Sequence, residues 1–134
     1  MANSIIDTKT DERNFGGMIH ENISTTLNLV QTAVGKFGVT YQITYTGRKT
    51  GSSSGGPQAV DGNTSFQASD DPPVTVNVSD YSDSGSFISI HVNIKVKIPI
   101  VGFKDIFDQT LAGNYSTPGA NLKNMFNRIA EISK

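Results

Sequence analysis

The chain has 134 residues, 36% of them hydrophobic and 17% charged, with a formal net charge of -1. That length suits one domain, read here as residues 1–134, and the charge balance excludes a bulk-basic or bulk-acidic protein, so any basic patch must be local. With no cysteine, disulfides, thiolate zinc sites, iron–sulfur clusters and cysteine nucleophiles are excluded together.

The N-terminus, Met1-Ala-Asn-Ser-Ile-Ile-Asp-Thr-Lys9, lacks a basic-then-apolar signal pattern, and no run of ~18 apolar residues occurs. No membrane partner is therefore expected. Asn-x-Ser sequons begin at Asn22, Asn63, Asn77 and Asn114, which chance explains in so Asn- and Ser-rich a chain. From Ile19 to Val34 two periods compete. Ile19, Ile23, Leu27, Val30 and Val34 keep helical spacing, whereas the Thr content and Leu27/Leu29 favour a strand after Thr25.

Val39-Thr-Tyr-Gln-Ile-Thr-Tyr45 alternates as a strand, with Val39, Tyr41, Ile43 and Tyr45 on one face. It exits into Gly47-Arg-Lys-Thr-Gly51, whose glycines lack phosphate-loop spacing and follow a strand without opening a helix. Residues 51–73, rich in Gly, Ser, Asp and Pro, suit a long loop or a short edge strand.

The clearest signal comes next. Positions 88, 90, 92, 94, 96, 98 and 100 are all Ile or Val, while Ser89, His91, Asn93, Lys95 and Lys97 fall between them. Period two gives a strand with one dry and one wet, partly basic face. Val74-Thr-Val-Asn-Val-Ser79 alternates likewise, and Asp80-Tyr-Ser-Asp-Ser-Gly85 has turn composition, so residues 74–100 read as an antiparallel hairpin. That turn matches a calcium loop only in part, because His91 stands where a bidentate glutamate is needed.

After Ile100, the spacing of Phe103, Ile106, Phe107 and Leu111 predicts a short helix ending at Gly113. Thr117-Pro118 then supplies a helix start, and Leu122, Met125, Phe126, Ile129 and Ile132 share one face. The expected class is α+β: an antiparallel sheet, with an N-terminal hairpin or helix, whose dry face is covered by two C-terminal helices.

Nothing resembles a catalytic or metal-binding set. The two histidines, His20 and His91, have no motif partner, so both His91 and the His20-Glu21 pair receive plain surface readings. No enzyme, cofactor, metal or small-molecule substrate is expected. The candidate binding residues are Ser89, His91, Asn93, Lys95, Lys97, Arg48 and Lys49. Lysines can neutralise phosphates, and the neutral polar groups can hydrogen-bond bases or riboses.

Val74-Thr-Val-Asn-Val-Ser79, the polar turn and Ile94-Lys-Val-Lys-Ile-Pro-Ile100, followed by a tail of similar length, resemble the coat proteins of single-stranded RNA bacteriophages over the C-terminal half. The resemblance implies an interlocked homodimer in which Leu122, Met125, Phe126, Ile129 and Ile132 clasp the partner. It further implies an icosahedral virion shell assembled in the bacterial cytoplasm, with single-stranded RNA against the wet face. The rival readings are a pilin-like or phage tail or decoration subunit without RNA, and a carbohydrate- or lipid-binding β-protein. The lack of Trp weighs against a lectin.

Overall fold

The computed structural model describes residues 4–115, and the chain there is all β. Eight strands follow one another: β1 Ser4–Phe15, β2 Glu21–Ala33, β3 Lys36–Gly47, β4 Gly51–Val60, β5 Thr64–Asp70, β6 Pro73–Asp83, β7 Phe87–Ile98 and β8 Gly102–Asn114. They form two four-stranded antiparallel meanders, β1-β2-β3-β4 and β5-β6-β7-β8.

Alternation drives the packing. On β2, Ile23, Leu27 and Leu29 point inward, and on β7 Ile88, Ile90, Val92, Ile94 and Val96 do the same. With Val39 and Ile43 of β3 and Val74, Val76 and Val78 of β6, they make one core between the sheets. The dry face of β7 is therefore covered by the opposite sheet, not by helices. Face-to-face sheets satisfy the same apolar stripe that suggested a helical cover, so the stripe alone could not choose between the two.

The α+β expectation is corrected at three points. The segment expected as a helix, Phe103 to Leu111, is β8. The pairing with β7 runs Ile94 to Phe107 but Lys95 to Asp105, leaving Ile106 as an extra residue. This bulge lets Ile106 and Phe107 both point inward, with Leu111 returning to the same face. The resulting spacing of buried residues imitates a helix.

Residues 51–73, expected as a long loop or a short edge strand, hold two edge strands, β4 and β5. Their ladders with β3 and β6 are backbone bonds that ask little of the side chains. Gly55 lies under the Tyr41 ring, where a Cβ would meet the phenol oxygen. Third, β7 stops at Ile98, and Ile100 lies in the turn beyond it, fully exposed. Leu122, Met125, Phe126, Ile129 and Ile132, with the clasping role implied for them, lie outside the described residues.

Other expectations agree with the fold. The 74–100 hairpin is β6–β7, with the turn expected at Asp80–Gly85 shortened to residues 84–86 because β6 runs on to Asp83; Val39–Tyr45 lies within β3, and residues 21–33 are strand rather than helix.

The sheets also meet along one lateral edge. Asp11 Oδ2 accepts from the Asp108 amide at 3.1 Å, Asp7 Oδ2 from the Ala112 amide at 3.0 Å, and Gln109 Nε2 donates to the Thr10 carbonyl at 3.2 Å. Numbers fall on β1 as they rise on β8, so the two strands run antiparallel. Carboxylates take the outward amides of β8 where a strand ladder would otherwise do so. Unpaired edge amides are a template for aggregation, and these contacts occupy two of them. At the other lateral edge, Tyr41 on β3 donates to the Ala68 carbonyl at 3.0 Å and packs near the Phe66 ring.

Candidate functional site, a cleft at the turn end

In a meander, the β1–β2, β3–β4, β5–β6 and β7–β8 turns all fall at one end. Here they are tied together. The Arg48 amide donates to the His20 carbonyl at 3.0 Å, the Lys49 amide to Glu21 Oε2 at 2.8 Å, and Lys49 Nζ to Asp71 at 3.1 Å. The last is an exposed ion pair, which adds little stability.

Between these turns lies a cleft of about 240 Å³. Its walls are apolar: Ile19, Ile23, Val96 and Ile98, with Pro72 and Pro99. Arg48, Lys49 and Lys97 also line it. Glu21 and Tyr45 complete the lining.

Both occupy the inward register, which is why they are buried. Glu21 precedes Ile23 by one step of the β2 alternation, and Tyr45 follows Ile43 on β3; they are 9% and 5% exposed. Among the described residues, Glu21 Oε1 and the Tyr45 hydroxyl are buried without a hydrogen-bond partner, as is Thr25 Oγ1 within the core. An unpaired buried polar atom costs about 1–3 kcal/mol, so a partner supplied from outside would recover a substantial free energy.

Burial pushes the Tyr45 phenol from 10.0 up to about 12, and the neighbouring Glu21 carboxylate adds to the rise. The phenol is therefore a neutral donor at ordinary pH. At the opposite end, the Tyr115 phenol donates to Asp83, which holds it near 12 as well. A raised tyrosine value means that the folded chain keeps a proton which the unfolded chain releases at about pH 10. The stabilisation from this difference is full below pH 10 and is lost as pH rises towards 12. Spectrophotometric titration of tyrosinate should show late-ionising tyrosines in the native protein, and Tyr45→Phe should remove one of them. Ionisation of every tyrosine near pH 10 before unfolding would contradict the burial.

The sequence-derived candidates fall into two groups. Ser89, His91, Asn93, Lys95 and Lys97 alternate with the buried residues of β7 and face outward. Acids on β8 balance most of that face. His91 Nε2 meets Asp108 Oδ1 at 2.6 Å with Thr110 on its other nitrogen, Lys95 Nζ meets Asp105 at 2.7 Å, and Asn93 donates to Asp105 at 3.1 Å. The bonds from Lys95 and Asn93 hold the Asp105 carboxyl below its usual value. Lys97 lies 6.0 Å from the centre of the Phe103 ring.

Arg48 and Lys49 sit on the β3–β4 turn, so the fold joins them to Lys97 at the cleft and not to His91 or Lys95. Glu21 and Tyr45 were missed as site residues. The available signal was a carboxylate in the inward register of β2, where an acid is costly unless it has a task or a partner.

Among the described residues, no cluster of His, Cys, Asp or Glu could hold a metal ion. No family model matches this chain, and comparisons with curated proteins and with solved structures find no match either.

Proposed function

We propose that the protein is a binding protein rather than an enzyme, and that it takes a small amphipathic molecule into the turn-end cleft. The observation carrying this reading is the pair of buried, unpartnered polar atoms, Glu21 Oε1 and the Tyr45 hydroxyl, on residues that line an otherwise apolar cleft. A few placed polar groups in an apolar recess are what a small-molecule site needs: apolar area for affinity and polar atoms for orientation.

The chemistry defines the ligand class. Its apolar body lies against Ile23 and Val96, a hydroxyl or N–H donor reaches Glu21, and an anionic group is met by Arg48, Lys49 or Lys97. This reading departs from the expectation of no small-molecule substrate and lies nearer the rival of a carbohydrate- or lipid-binding β-protein.

The RNA coat reading has less support. It rests on the outward face of β7, where Asp105 and Asp108 counter Lys95 and His91 and leave little net positive charge for phosphates.

Anilinonaphthalene sulfonate suits the test, because it combines aromatic rings, one N–H donor and a sulfonate. Its fluorescence should rise saturably with the native protein. Glu21→Gln, which keeps an oxygen for the Lys49 amide, and Tyr45→Phe should each weaken binding about tenfold, as expected for a lost buried hydrogen bond. Equal binding by wild type and both variants would overturn the proposal.

A further inference from the structure

Beyond the cleft, the same end of the molecule carries apolar side chains that the fold leaves unburied. Met18 on the β1–β2 turn is 82% exposed and Ile100 on the β7–β8 turn is 101% exposed, with Val101 and Phe103 also open to solvent. Ile100 is unusual for a second reason. The Val101 amide donates to the Ile98 carbonyl at 3.2 Å across a four-residue turn with Pro99 second and Ile100 third. Ile100 has φ +74°. That turn position asks for glycine, and a β-branched residue is strained there. An apolar side chain that is both strained and fully solvated has no role in the folded monomer. Such outliers cluster at functional segments.

Charge favours one kind of partner. Arg48, Lys97 and Lys104 lie at this end, and among the described residues none of their side chains forms an ion pair with an acid; of the acids at the β5–β6 turn of the same end, Asp71 is paired with Lys49 and Asp70 is exposed. The opposite end of the meander bears Asp61, Asp80 and Asp83 against Lys36. A second protein would need a pocket shaped to each separate tip, whereas a bilayer interface admits protruding apolar groups without one. It also meets the surrounding cations with lipid phosphates and carboxylates. We infer that this end docks peripherally on anionic membrane surfaces, with Met18, Ile100 and Val101 inserted at the headgroup level and Arg48, Lys97 and Lys104 on the lipid charges.

This departs from the expectation of no membrane partner, which was drawn from the lack of a signal pattern and of a long apolar run. Arg48 and Lys97 also line the cleft, but Met18 and Ile100 do not, so the inference is tested at residues outside it.

The test is cosedimentation of the full chain with phosphatidylcholine vesicles, with and without phosphatidylserine. Binding should require phosphatidylserine and weaken at high salt, because exposed charges are screened. Met18→Ser with Ile100→Ser should lower the affinity about tenfold or more, since the inserted apolar area is lost. Ile100→Gly, which suits the turn and keeps the fold, should weaken binding in the same direction while circular dichroism stays native. Three results would each overturn the inference: no binding to either vesicle, equal binding by wild type and both variants, or self-association through these tips in sedimentation equilibrium without vesicle binding.

Discussion

Replacing Phe107 by alanine is expected to destabilise the protein by about 3–5 kcal/mol, the usual cost of emptying a buried aromatic site. Phe107 is fully buried and is among the largest side chains in the core. It points inward because the bulge at Ile106 reverses the parity of β8, and it shares the core with residues of both sheets. The β7 ladder on one side and the Asp7 and Asp11 carboxylate bonds from β1 on the other hold β8 in place, so the space cannot collapse cheaply. For a domain of ordinary stability, this loss removes a large part of the total. Denaturant unfolding should show a midpoint far below that of the wild type. A helical Phe103–Leu111 segment on the surface of one sheet would instead leave exposed Phe103 as a comparable anchor. In the sandwich, Phe103→Ala should cost well under half as much as Phe107→Ala.

Gly47→Ala should have the second largest effect, and it should act on the cleft as well as on stability. Gly47 pairs with Glu21 across β2 and β3 and has φ +145°. A Cβ there would stand 2.6 Å from the His20 carbonyl oxygen and 3.0 Å from the Glu21 Cα, both backbone atoms that cannot swing aside. Strain of about 1–3 kcal/mol is expected from the backbone conformation alone. The displaced turn would also weaken the Arg48 and Lys49 amide bonds that fix the cleft. The variant should therefore unfold at lower denaturant and lose sulfonate binding at concentrations where it is still folded. Gly51→Ala makes the control, because a Cβ there meets nothing within 4 Å. It should change neither property.

Strand identity was legible where alternation was unbroken. The β7 stripe from Ile88 to Val96 needs no more than period two to be read, and β3 and β6 follow the same rule. It was hidden where the backbone alone makes the strand. In β4, Gly51-Ser-Ser-Ser-Gly55 offers no side-chain pattern, and its pairing with β3 becomes visible only in three dimensions. It was misleading at β8, where the bulge turns period two into an imitation of period 3.6.

The site was half legible for the same reason. Lys97, Arg48 and Lys49 could be named as cations, but their convergence depends on four turns sharing one end of a meander that had not been recognised. Tyr45 was placed on one face of its strand with Val39 and Ile43, yet a tyrosine there announces a site only when its hydroxyl is seen to lack a partner. Glu21 was read beside His20 as surface. Once β2 is known to be a strand, its parity with Ile23, Leu27 and Leu29 marks it as an acid facing inward.

Whether the turn-end cleft is the binding site can be read most directly from chemical-shift mapping of the isotopically labelled protein during titration with anilinonaphthalene sulfonate. Saturable shifts are expected at Ile19 to Ile23, Tyr45 to Lys49 and Val96 to Ile98, with the outward face of β7 from Ser89 to Lys95 unchanged. Shifts centred on Ser89 to Lys95, or spread evenly over both sheets, would contradict binding at the cleft.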